Sequence, residues 1–119
     1  MTKGENRQRT GREYESAAAD YLRNRGFRIL ERNFHSRYGE IDIIAEAGGL
    51  LVFVEVKFRA RGGGQEAVDA KKQRRLCRTA LFYYARHGYG EDTPCRFDVI
   101  AIDGGDRIEH IENAFGFRW

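Results

Sequence analysis

Residues 39–58 read GEIDIIAEAGGLLVFVEVKF, and this stretch decides the fold. Two runs rich in Ile, Val, Leu and Phe flank Gly48-Gly49, which is the signature of a β-hairpin closed by a glycine turn. With a two-residue turn, Ala47 faces Leu50, Asp42 faces Glu55 and Glu40 faces Lys57. Side chains alternate along a strand, so all four charged residues are expected on one face. Val52, Val54 and Val56 alternate with them and are expected to pack into the core on the other face.

An Asp opposite a Glu in an apolar ribbon is costly, because opposed like charges in a sheet repel. A divalent cation between the two carboxylates would resolve the conflict. Such an ion could activate a water and neutralise charge on a scissile phosphate. Lys57, two residues beyond Glu55, could position the water or stabilise the transition state. The plainer alternative is a solvated strand face on which Lys57 pairs with Glu40 and Asp42 is a hydrogen-bonded or protonated carboxylate.

Outward from the hairpin, Tyr14, Ala17, Ala18, Tyr21 and Leu22 share one helical face. Thr10 and Glu13 fit a capping box and Gly26 a stop, so a helix is expected over 11–25. Glu15 lies about 20° around from Leu22, at the edge of the buried face, where it could reach the sheet. A surface helix residue is the competing reading. FRILERNF (27–34) is β-like, with Phe27, Ile29 and Phe34 inward. Residues 60–66 (ARGGGQE) read as a mobile loop.

A second helix is expected over 69–87, with Asp69 as N-cap and Gly88 at its end. Its apolar face is Leu76, Cys77, Ala80, Leu81 and Tyr84. Lys71, Arg74, Arg75 and Arg78 form another face, which is either a solvated surface or a track for phosphates. RFDVIAI (96–102) is a strand and 107–111 a short one. The resulting order is α-β-β-β-α-β-β.

The 119 residues fit one domain, with residues 1–10 as a flexible basic arm and 11–119 as the folded unit. No apolar run approaches a membrane span, so no membrane partner is expected. Cys77 and Cys95 form no CxxC pair and the three histidines have no zinc spacing. Reduced thiols in a cytoplasmic protein are the expectation. A bound metal would then be an oxygen-seeking one. The net charge is only +3, weak evidence alone for a nucleic-acid partner, but basic residues concentrate at 3–12, 23–37, 57–61 and 71–78, so a basic surface is expected around the middle of the chain.

The segments YESAAADYLRNRGFRILERNF (14–34), GEIDIIA (39–45), VFVEVKFR (52–59), AVDAKKQRRL (67–76), RFDVIAI (96–102) and HIENAF (110–115) together resemble the YraN-like family of small bacterial proteins. The resemblance implies an α/β restriction-endonuclease-like core with a mixed central sheet flanked by helices. It places the chain in the PD-(D/E)xK nuclease superfamily, the motif reading Asp42…Glu55-Val56-Lys57. The order of Glu15, Asp42, Glu55 and Lys57 is also similar to archaeal Holliday-junction resolvases. By that similarity Asp42 and Glu55 are metal ligands for Mg2+ or Mn2+, Lys57 the catalytic lysine and Glu15 an auxiliary acid. Lys72 and Gln73 match the family's second-helix Lys-Gln position, which would contact phosphate or support the site. Tyr14 stands where the family commonly has Gly.

The favoured reading is a metal-dependent endonuclease on DNA, including branched or damaged structures. Arg59, Arg61, Lys71, Lys72, Gln73, Arg74, Arg75 and Arg78 are its candidate nucleic-acid contacts. A homodimer enters by analogy with junction resolvases, though no dimer seam is readable. The alternative is a non-catalytic nucleic-acid-binding module, and a protein-assembly subunit comes third.

Overall fold

A computed structural model describes residues 10–59 and 68–117. The elements are α1 (Gly11–Asn24), β1 (Arg28–Ser36), β2 (Gly39–Ala47), β3 (Leu50–Arg59), α2 (Ala70–His87), β4 (Cys95–Asp103) and β5 (Ile108–Phe115). The expected order α-β-β-β-α-β-β is the observed one. The arm expected at 1–10 lies outside the described residues except for Thr10, which belongs to the α1 cap. The loop expected at 60–66, with Arg61, also lies outside them.

The five strands form one mixed sheet in the order β1-β2-β3-β4-β5. Only β3 and β4 run parallel, and α2 makes the crossover that a parallel pair requires. One helix covers each face. Beneath α1, Ala18, Ala19 and Leu22 pack on Ile43, Val52, Val54 and Ile100. Beneath α2, Leu76, Cys77, Ala80 and Tyr83 pack on Ile41, Ile44, Phe53 and Phe97. Strands covered on both sides read as continuous apolar runs, which explains IDIIA and LVFV. The face of β3 that carries Phe53 and Glu55 is therefore covered by α2.

Both helix termini follow their local chemistry. The Thr10 amide donates to Glu13 Oε1 at 2.9 Å, and the Glu13 amide to Thr10 Oγ at 3.2 Å. Asp69 accepts the Lys72 amide at 2.8 Å, and Gly88 closes α2 with φ +73°. The buried stripe of α2 differs from expectation. Leu81 is among the exposed apolar residues, whereas Thr79 and Tyr83 are buried. Tyr83 meets Phe34 and Phe53 edge-on, so aromatic packing turns the helix away from Leu81.

The hairpin register is as expected from Ala47↔Leu50 to Ile43↔Val54, and there the ladder stops. Asp42 with Glu55, and Glu40 with Lys57, are not ladder partners. The cause lies in β2. Ile43 and Ala45 belong to the α1 layer and Ile44 to the α2 layer, but Ile41 also joins the α2 layer. Alternation is therefore lost at Asp42. Its neighbour across β1, Asn33, has φ +55°. Glu40 instead faces His35 across β1, with their side chains 3.5 Å apart.

The edge strand β5 is fixed by a buried carboxylate on β4. Asp98 accepts from Arg96 (2.9 and 3.1 Å), from the Asn113 amide (2.9 Å) and lies 2.7 Å from His110 Nε2. His110 Nδ1 meets the Tyr21 hydroxyl of α1 at 3.2 Å. Burial works to raise the Asp98 pKa, but the bonds from His110, Asn113 and Arg96 together hold it below the ordinary carboxylate value. Its contribution to stability is therefore present at neutral pH and is lost as pH falls through the folded-state pKa. Asp98→Ala should cost about 3 kcal/mol in denaturant unfolding at pH 7, since it leaves the partners of a buried charge uncompensated. A loss below about 1 kcal/mol would show that β5 docks without this bond.

Candidate metal centre

The end of the β2–β3 ladder creates the site. Where the next backbone bond would fall, the Val56 N–H donates to Asp42 Oδ2 at 2.8 Å. A side chain that accepts an amide in the plane of the sheet lies in the slot between the strands, not on either face. Asp42 and Glu55 are both buried, at 9% and 7% exposure. They are close enough that the Glu55 charge acts strongly on Asp42.

Desolvation is the largest cause that raises the Asp42 pKa, followed by the Glu55 charge. The Val56 amide opposes them, and Glu15 adds a further raising charge from α1. The balance pushes Asp42 up to about 8. Glu15 is half-buried on α1, which packs on the opposite face from α2. The slot position thus lets Asp42 feel both layers. The expectation that Asp42 shares one strand face with Glu55 and Lys57 is corrected for Asp42, which is in the slot, whereas Glu55 faces α2.

Lys72 of α2 forms an ion pair with Glu55 Oε2. Its side chain is 49% exposed while that of Glu55 is 8% exposed. Burial works to lower the Lys72 pKa, but the Glu55 bond and the charges of Glu55, Asp42 and Asp69 raise it on balance. Lys57 follows two residues after Glu55 on β3, half-buried, and pairs in register with Ala101 of β4. It is not partnered with Glu40 in the ladder.

The donor set fits a hard divalent cation in chemistry, because both converging groups are carboxylates. Asp42 and Glu55 cannot both ionise there without cost, which is why Asp42 retains its proton in the absence of a further cation. Among the described residues, no three His, Cys, Asp or Glu side chains form one ready cage. The chain therefore offers two carboxylate donors, with Glu15 standing behind Asp42.

The other expected contacts divide into two groups. Lys71, Arg74, Arg75 and Arg78 lie exposed along α2. Arg59 is tied to Glu109 of β5 at 2.7 Å, and the Gln73 side chain donates to the Val68 carbonyl at 2.7 Å. Arg37 and Tyr38 were missed by sequence reasoning. Their turn packs on the middle of α2, since a Cβ built on Gly39 would lie 3.7 Å from Arg75 Cβ. A basic–aromatic pair in HSRYG was the available signal, and Arg37 sits over the Tyr38 ring at 5.1 Å.

The model of uncharacterised protein family UPF0102, the YraN family, matches residues 14–102, and the chain belongs to that family. A UPF0102 protein of Symbiobacterium thermophilum is 52% identical over 114 residues, covering 90% of this chain and 96% of the relative. One from Persephonella marina is 48% identical over 108 residues, covering 88% and 91%. Among solved structures, Pyrococcus furiosus SfsA in complex with Ca2+ aligns at 14% identity and a TM-score of 0.37, over 92% of this chain and 64% of that one.

The raised Asp42 pKa has a signed consequence. An unfolded Asp titrates near 3.9. Between that value and about 8 the folded protein keeps a proton that the unfolded chain has lost, so stability falls as pH rises. In chelator, stability should drop by about 2 kcal/mol or more from pH 5 to pH 8.5 through this group alone. Asp42→Asn should flatten that slope, because the amide oxygen can still accept from Val56. An unchanged slope in the variant would show that Asp42 does not hold its proton.

Proposed function

We propose that this protein is a metal-dependent endonuclease that hydrolyses DNA phosphodiester bonds, with branched or damaged DNA as candidate substrates. The observation that supports this most directly is the slot in which Asp42 and Glu55 converge, with Lys72 of α2 against Glu55 and Lys57 two residues along β3. When bound, Mg2+ or Mn2+ supplies Lewis-acid polarisation of the phosphate and activation of a water. Asp42 and Glu55 would hold the cation. Lys57, two residues after Glu55 on β3, would supply an ammonium to stabilise charge developing on the phosphate oxygens. Glu15 keeps the slot acidic from the α1 side.

The exposed face of α2 supports a nucleic-acid partner. Lys71 to Arg78 spans about 10 Å of helix, roughly three base-pair steps at 3.4 Å each. Such side chains bind phosphate without reading bases, so affinity is expected to be salt-sensitive. A second reading has its own support. Lys72 already neutralises Glu55, and among the described residues no three acidic, His or Cys side chains form a cage. A protein of that kind would bind DNA without cutting it.

Labelled single-stranded, duplex, flapped and four-way-junction DNA, each with Mg2+, Mn2+ or chelator, separates the two. Metal-dependent cutting of at least one substrate is expected, with a loss of 100-fold or more in Glu55→Gln at unchanged circular dichroism. Binding without cutting by the wild-type chain would select the second reading. In either case, replacing Arg74, Arg75 and Arg78 by Ala should reduce the slope of log affinity against log salt by about 1 per lost phosphate contact.

A further inference from the structure

Resting on the metal-site reading above, we propose that the Lys72 ammonium is the resident counter-cation of Glu55 in the metal-free protein and that a divalent cation must expel it to load. The two ends of the pair are unequal. Glu55 is held in a strand with its side chain 8% exposed, whereas that of Lys72 is 49% exposed. Lysine carries its charge on a flexible four-carbon stem, so it is the partner that can leave. The backbone of Lys72 need not move: its amide stays on Asp69 Oδ1 at 2.8 Å.

The competition is for one carboxylate. An ammonium brings one positive charge to a site with two acidic groups, and a divalent cation brings two. A half-exposed ion pair is worth little net, because desolvation and side-chain ordering offset its Coulomb attraction. Once expelled, the ammonium is at the first turn of α2, next to the exposed Lys71 in sequence. It is then available to a phosphate oxygen. Lys72 therefore acts as a positioning residue: it holds the empty site together, then adds charge to the nucleic-acid strip when metal is present.

The test measures Mn2+ affinity of the full chain by electron paramagnetic resonance and calorimetry, with no nucleic acid and no turnover. Lys72→Met should bind Mn2+ about tenfold more tightly than wild type, the effect of removing a competitor worth about 1.4 kcal/mol. Lys72→Arg should stay within about threefold of wild type, because it keeps a competing cation. Lys71→Met removes an equal charge from the exposed neighbour and should change affinity less than about twofold. Wild type that binds Mn2+ while Lys72→Met binds no more tightly overturns this inference alone. An equal gain in Lys71→Met overturns it too, since the effect would be general electrostatics. Folded wild type and Lys72→Met that both fail to bind Mn2+ overturn the metal reading, and this inference with it.

Discussion

The Val56 amide bonded to the Asp42 carboxylate is the contact on which the site depends. An interior amide must find an acceptor, because leaving it unpaired costs about as much as losing a hydrogen bond. In a continued ladder the acceptor would be a β2 carbonyl. Here β2 loses its alternation at Asp42, and the side chain takes over. One substitution of acceptor then has three results. It ends the ladder without an orphan donor, it opens a slot, and it fixes a carboxylate inside that slot.

The parallel pairing of β3 and β4 then dictates what lies over the slot. A parallel neighbour needs a crossover, and α2 supplies it across one face. The helix is anchored on the sheet by Leu76, Cys77, Ala80 and Tyr83. That anchorage leaves its first turn close to Glu55, where Lys72 reaches the carboxylate. The positive end of the helix dipole also favours negative charge there. A single helix thus joins the core, the site and the exposed basic strip, so their relative positions are set by packing and not by a loop.

What was legible in the sequence was local. The Gly48-Gly49 turn set the register over five pairs, and Thr10, Asp69 and Gly88 marked the helix ends, because caps and turns depend on near neighbours. The gathering of Glu15, Asp42 and Glu55 was expected from spacing and from family resemblance. The slot was not, since it depends on which acceptor an amide on another strand chooses. Leu81 and Tyr83 both fit a helical stripe, and only the aromatic partners Phe34 and Phe53 decide between them. Asp98 was invisible as a hub because His110, Asn113 and Tyr21 come from distant parts of the chain.

The two buried aspartates show how the fold distinguishes a brace from a site. Both are in strands and both are shielded from water. Asp98 accepts two bonds from Arg96 and one from a backbone amide and lies against His110, and its pKa is lowered despite burial. Asp42 accepts the Val56 amide, faces the charges of Glu55 and Glu15, and is pushed up to about 8. The same side chain at similar depth is thus saturated in one place and left short of positive charge in the other. A fold that can saturate Asp98 could have done so for Asp42. Local unfavourable electrostatics that the rest of the structure sustains are concentrated at functional positions, which is the ground for the proposed role of Asp42. The deficit at Asp42 is one that the proposed divalent cation would satisfy and that Lys72, one charge placed on Glu55, meets only in part.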